Sequence, residues 1–570
     1  MITPRHRHRA GVVLSLLMTL VLVLTGCAQI PSRGPVGTAE PIGGTDAQPN
    51  YVFSPSGPTP GDSPEEIVRG FITAGTGVQD DYATAREFLT AEAAATWQPT
   101  ARTLVYSAQP SVVPAGDDTA LSVQLEVDSV VDNSGIMTHM PESSTEEIDM
   151  TLTEVDGQWR ISQVPDGTVL ESAQFRAIFA AQSLYFYNQT FTYAVPDVRW
   201  FVNRPGTTSA MVSALLDGPA PYLSGAVTSA FPPGAELSRQ SVPVSSGSAK
   251  VDLTSTSVEG TDTATRRRML EQITLTLDGL STVNDVELTV DQAELDIGES
   301  SPDFTPATVD PGAGSTQVAV ADDQLVYFEG TSVLPIGGMA ALGGLIPVEP
   351  AMNLDGTRFA FLTEDSDELY EATTEQQLQL ILRGTGLTRP SIDTEGWIWT
   401  VDQTESPQVV AVRAGSGGQD RRELSAEWLG DRQVHALRIS RDGTRAAVVT
   451  GDSESASVFV AGVVRDSEGV PRGLGTPIRL QASVPVSEVD WSSERELLVA
   501  APSETDPVEA QLLGLDGSQT TLKPLLGMTG FSAAPGDNSI YAETEDAVWM
   551  RLGTNWRAQS GQASDLSYPG

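Results

Sequence analysis

In the carboxyl-terminal half, Asn353-Leu354-Asp355-Gly356-Thr357-Arg358-Phe359-Ala360-Phe361 is paralleled by Ser440-Arg441-Asp442-Gly443-Thr444-Arg445-Ala446-Ala447-Val448. Asp393-Thr394-Glu395-Gly396-Trp397-Ile398-Trp399 falls between them, and degenerate copies follow at Asp490-Trp491-Ser492-Ser493-Glu494 and Ala534-Pro535-Gly536-Asp537-Asn538. A tight Asp-Gly turn feeding a β run, recurring every 40 to 50 residues, is the pattern of propeller blades, each of which buries its faces only against its neighbours. Residues 317–560 are therefore expected to form an all-β propeller. At about 42 residues per blade the best count is six, with five or seven open. Independent hairpins in a sandwich are the competing reading.

The amino terminus is equally specific. Arg5, Arg7 and Arg9 precede an apolar run over residues 11–24, too short for a membrane span of about 20 residues. Leu24-Thr25-Gly26-Cys27 then resembles the bacterial lipobox, and residues 1–26 read as a lipoprotein signal peptide. On that resemblance Cys27 becomes the first mature residue, carrying an S-diacylglycerol and an N-acyl chain. It is the only cysteine in 570 residues, so intrachain disulfides and thiolate metal sites are excluded. The predicted location is the extracytoplasmic face of the cell membrane, held by lipid.

Residues 27–60, rich in Pro, Gly, Ser and Thr, read as a flexible tether. Ser63-Pro64-Glu65-Glu66 signals a helix start with a capping box, and Ile67, Val68, Phe71 and Ile72 supply one apolar face. Tyr82, Ala85, Phe88 and Leu89 indicate a second helix, and residues 91–97 a short third. The period then changes to two at Leu121, Val123, Leu125 and Val127 and at Ile148, Met150 and Leu152, with Asp156-Gly157 as a hairpin turn. Helices followed by antiparallel strands imply an α+β domain over 61–168, for which an NTF2-like cone fits. A second α+β unit is expected over 171–298, and 299–316 reads as a linker. The fold class is multidomain: two α+β domains followed by a propeller.

Function classes narrow by subtraction. Lys+Arg 33 against Asp+Glu 75 gives a net charge of −42, which repels nucleic-acid phosphates. Of four histidines, His6 and His8 leave with the signal, and His139 and His435 lie in different predicted domains. No Gly-x-Ser-x-Gly elbow, Ser-x-x-Lys pair or P-loop accompanies them, so no catalytic residue, metal or cofactor is assigned. Carboxylate chemistry stays open by counting, since two suitably spaced acids suffice for glycoside hydrolysis. Glu364-Asp365-Ser366-Asp367-Glu368 is the densest acidic run; it lacks the glycine and terminal glutamate of a calcium loop and reads as a solvated turn.

Taken in order, these segments resemble the actinobacterial LpqB lipoprotein family. The likeness rests on the lipobox with Ile30-Pro31 and Gly34-Pro35-Val36, the helix over 63–71, Asp81-Tyr82-Ala83, Ala85-Arg86, Leu89-Thr90 and Trp97-Gln98-Pro99. In the middle unit, Leu215-Leu216-Asp217-Gly218-Pro219, Phe231-Pro232-Pro233-Gly234 and Val251-Asp252-Leu253 are similar to the GerMN module of sporulation proteins. The resemblance implies a non-enzymatic, membrane-anchored accessory of the MtrAB two-component system. Its partner would be the extracytoplasmic domain of an MtrB-like sensor histidine kinase, in the control of wall homeostasis, division or sporulation. Only Cys27 carries over as a functional position. A cell-wall glycan-binding or carboxylate-dependent glycan-processing protein is the alternative, with Trp397 and Trp399 at a propeller mouth.

Overall fold

The computed structural model describes residues 54–570 apart from 117–118, 142–143, 299–301, 405, 452–455 and 537. The signal peptide, Leu24, Thr25, Gly26, Cys27 and most of the tether lie outside the described residues. Helix α1 (Pro64–Ala74) starts as its sequence dictates: Ser63 is the N-cap, its side chain accepts from the Glu66 amide, and Glu66 bonds back to the Ser63 amide. Such a cap contributes about 1 kcal/mol. Ile67, Val68 and Phe71 are buried against the sheet. The second helix is shorter than its apolar spacing predicts. Asp80, Asp81 and Tyr82 take φ of 47°, 54° and 59°, leaving only α2 (Ala83–Arg86) before α3 (Ala91–Thr96).

Seven strands over residues 102–171 form one sheet behind these helices. Asp156 and Gly157, at φ 54° and 75°, make the two-residue turn between Thr145–Val155 and Gln158–Gln163, as a primed hairpin turn requires. One edge corrects the expectation of purely antiparallel pairing: Thr168–Glu171 runs parallel to Arg102–Tyr106. Parallel neighbours need a long return connection, and the intervening strands supply it. Helix α4 (Ser172–Ile178) closes this module, with Phe175 and Ile178 in its core.

The second module begins with the hairpin Phe179–Tyr187 and Ala194–Val202. Helices α5 (Thr207–Asp217) and α6 (Thr263–Leu277) pack with it and with a four-stranded sheet in which Ser248–Leu253 and Asp285–Val290 are parallel. Gly218 at φ 104° ends α5, a conformation open to glycine. A buried pair fixes that end. Arg199 Nη2 lies 2.6 Å from Asp197 Oδ2 and 2.7 Å from the Gly218 carbonyl, and the same Asp197 oxygen accepts from the Ala220 amide at 2.8 Å. The Leu-Leu-Asp-Gly-Pro motif is therefore where the α5 exit is clamped to the hairpin.

From residue 317 onward six blades follow, each with at least four strands. The ring is closed by Ser564–Ser567, which pairs with Gln317–Ala321 as the innermost strand of the first blade. That strand lies beyond the expected limit at residue 560, because a propeller closes by completing its first blade with its last strand. The repeated turns join first and second strands, with φ of 70° at Gly356 and 74° at Gly443 after Asp, and 79° at Gly396 after Glu. All therefore stand at one end of the ring.

Residues 302–316 are no free linker. Thr308 bonds both ways to the hairpin, through the Ala194 amide at 3.0 Å and the Thr192 carbonyl at 2.9 Å. The Glu494 amide donates to Asp310 Oδ1 at 3.0 Å, and Glu494 Oε2 accepts from the Asp310 amide at 3.2 Å. The second module and the propeller also share one apolar core, in which Phe186, Met269 and Ile273 join Val449, Val489, Trp491 and Leu497.

Candidate functional site

The repeat builds its own cement at the turn end. Asp442 accepts from Ser440 Oγ at 2.6 Å and the Thr444 amide at 2.9 Å, and pairs with Arg445 Nη2. Arg445, fully buried, also donates to the Glu494 carbonyl of the next blade at 2.6 Å and lies 5.0 Å over the Trp491 ring. In the second blade Arg358 fills the same place: it pairs with Glu371, whose oxygens accept from the Gly415 amide of the third blade at 2.9 and 3.0 Å. The arginine after Asp-Gly-Thr thus links successive blades. Arg441 closes the axis by donating to the carbonyls of Trp491, Ala533 and Pro569 at 2.9, 2.6 and 3.1 Å. Gly570 bonds beside it to Met352 and Ile392.

The second module covers this end. Tyr185 Oη donates to Glu494 Oε1 at 2.8 Å. Gly462 lies so close to the module that an added Cβ would stand 2.5 Å from the Tyr222 carbonyl oxygen. The first module reaches the same side of the ring, where the His139 ring packs on Gly517. Burial, reinforced by Arg479, holds that imidazole below its ordinary pKa.

At the opposite end the axis opens into a cavity of about 530 Å³. It is lined by Glu349 from the second blade, Arg389 ahead of the third, Arg438 from the fourth, Glu488 from the fifth, Glu543 and Thr529 from the sixth, and Asp565 from the closing strand. Burial pushes Glu488 up to about 7 despite the opposing charge of Arg389. Burial, then the Asp565 charge, takes Glu543 to about 7, although Glu543 accepts from the amides of Asp565 and Leu566 at 2.6 and 2.7 Å. Burial and the neighbouring Arg389 bring Arg438 down to about 10. Around the mouth, the turns between second and third strands carry exposed carboxylates: Asp322 and Asp323, Glu364 and Asp365, Glu504 and Asp506, Glu545 and Asp546. None of those turns contains Lys or Arg.

Family models of the Lipoprotein LpqB N-terminal domain and the Lipoprotein LpqB beta-propeller domain match residues 57–176 and 323–569. The chain belongs to the LpqB lipoprotein family. Between those matches, a sporulation and spore germination model covers 183–296. Lipoprotein LpqB of Thermobifida fusca is 28% identical over 600 aligned residues, covering 93% of this chain and 94% of that protein. The Cutibacterium acnes protein of the same name is 24% identical, covering 95% and 96%, and that of Mycobacterium leprae 26%, covering 89% of each.

In this LpqB fold the residues singled out from sequence scatter. His435 lines the cavity, its Nε2 2.8 Å from the Gly451 carbonyl, whereas His139 sits at the module boundary. Trp397 and Trp399 are fully buried within the third and fourth blades, and Trp399 Nε1 donates to Asp393. Neither offers a ring face to a glycan. The acidic run 364–368 is a turn in which Glu368 pairs with Arg383 and Asp367 accepts from the Gly386 amide. Among the described residues no three His, Cys, Asp or Glu converge as a metal site requires, and no helix is long and apolar enough to cross a membrane. The channel residues escaped sequence reading because they stand one or two to a blade, across more than two hundred positions.

Proposed function

We propose that this LpqB-family chain is a non-enzymatic accessory protein, anchored outside the cytoplasm through lipid on Cys27, that binds the extracytoplasmic domain of an MtrB-like sensor histidine kinase. It would bias the kinase by binding one of two states more tightly, in the control of wall homeostasis, division or sporulation. The observation that carries this reading is the asymmetry of the ring. One end is occupied by the protein's own modules, and the other presents eight exposed carboxylates without a neighbouring cation in their turns. Loops on a rigid scaffold are suited to recognition, and these clustered carboxylates, which outnumber the exposed Arg383, Arg432 and Lys523 of the same end, speed encounter with a basic partner in a salt-dependent manner.

Calorimetry of residues 28–570 with the purified extracellular kinase domain, at low and moderate salt, tests it. Saturable one-to-one binding that weakens with salt is expected. Changing the eight mouth carboxylates to Asn and Gln should weaken it further. Deleting residues 317–570 is a poorer test, since it strips part of the core of the second module. Absence of binding at both salt concentrations, with both proteins folded, overturns direct recognition.

A further inference from the structure

The cavity on the propeller axis falls within the size range of small-molecule pockets, and it is blind, because Arg441 and the last residues of the chain close its far end. Arg389 and Arg438 attract Glu349 and Glu488 across the cavity, but none of these groups closes a direct ion pair with another. Arg438 is only 7% exposed. Its Nη1 donates to the carbonyls of Pro390 and Arg389 at 2.7 and 3.3 Å, and no described carboxylate lies at ion-pair distance from its guanidinium. Arg389 donates to the Leu566 carbonyl, but its Nε is buried without an acceptor. The side chains of Glu349 and Glu488 accept no hydrogen bond from the described residues. Charges withdrawn from bulk water without partners are costly.

The backbone also aims two of these acids. Glu349 and Asp565 take φ of 48° and 54°, a left-handed conformation that costs non-glycine residues about 1–3 kcal/mol. Both stand at register breaks in innermost strands, and the Glu349 amide donates to Asp565 Oδ1 at 3.3 Å. A bulge of this kind re-aims a side chain, here into the channel.

We propose that the channel binds a small zwitterion of the amino-acid or short-peptide class, its ammonium among Glu349, Glu488 and Asp565 and its carboxylate on Arg438 and Arg389. A plain anion would meet four carboxyl groups, Glu543 included, and a plain cation two guanidiniums, whereas a ligand bearing both charges answers both sets. The acidic mouth draws the ammonium end inward first. This site is independent of the kinase reading and stands or falls separately from it.

The test uses the full chain in detergent, with calorimetry and thermal shift against alanine, alanyl-alanine and trialanine at up to millimolar concentrations. The N-acetylated and carboxamide forms of each serve as comparison. At least one free zwitterion is expected to bind, and either cap should weaken it by about tenfold or more. Arg438→Gln should abolish discrimination against the carboxamide, and Glu488→Gln discrimination against the N-acetyl form. Where Arg438→Gln fails to fold by circular dichroism, Glu349→Gln with Glu488→Gln carries the test through the ammonium end. No binding of any free zwitterion to folded protein, binding indifferent to both caps, or unchanged discrimination in folded variants overturns the proposal.

Discussion

Asp442 shows how a short motif becomes structure. Its carboxylate is held below the usual range: burial opposes ionisation, but Arg445 and the bonds from Ser440 and Thr444 prevail. Such a pair lends stability above the unfolded carboxylate pKa, and that stability disappears as pH falls through the lower folded value. Asp442→Ala leaves Arg445 buried without its counter-ion, so unfolding free energy should drop by about 3–5 kcal/mol, measured by denaturant titration at neutral pH. Glu488 behaves in the opposite sense. With a folded pKa near 7 against an ordinary 4.5, its contribution is intact below pH 4.5 and declines as pH rises through 7. Glu488→Gln should therefore flatten the pH dependence of the thermal midpoint in that window and raise stability above it, on the order of 2 kcal/mol after allowance for water in the cavity. Parallel pH profiles for the two proteins would contradict this.

Among the elements, legibility followed local chemistry. The cap at Ser63, the Asp156-Gly157 hairpin and the Asp-Gly turns of the blades are dictated within four to six residues, and the sequence displays them. Three elements were not legible. The break at residues 80–82 is set by positive φ at Asp and Tyr, which composition does not announce. The parallel edge at Thr168–Glu171 depends on a return across the whole sheet. The closing strand Ser564–Ser567 has no repeat signature, and its place is fixed by a partner about 245 residues earlier. Truncation after residue 560 removes that strand and the Pro569 acceptor of Arg441. It should abolish the cooperative thermal transition and expose the inner strands of the first blade to protease; an unchanged melt would show that the ring does not need this closure.

On the scale of the whole molecule, the sequence divides into modules that the structure joins. The stretch that reads as a linker is bonded to both of its neighbours, and the second module contributes side chains to the propeller's own core. Heating should therefore melt these two parts together. Gly462→Val drives a side chain towards the Tyr222 carbonyl and Ala226, and is expected to split one calorimetric transition into two; a single transition in the variant would mean that the contact does not couple them. The same joining leaves the acidic end of the ring as the face turned away from the protein's own modules. The most direct test of its role is hydrogen exchange on residues 28–570 with and without the kinase extracellular domain. Slowed exchange is expected, confined to the mouth turns around residues 322–323, 364–368, 504–506 and 545–546. Protection confined to the first two modules, or no protection anywhere under conditions where both proteins are folded, would contradict it.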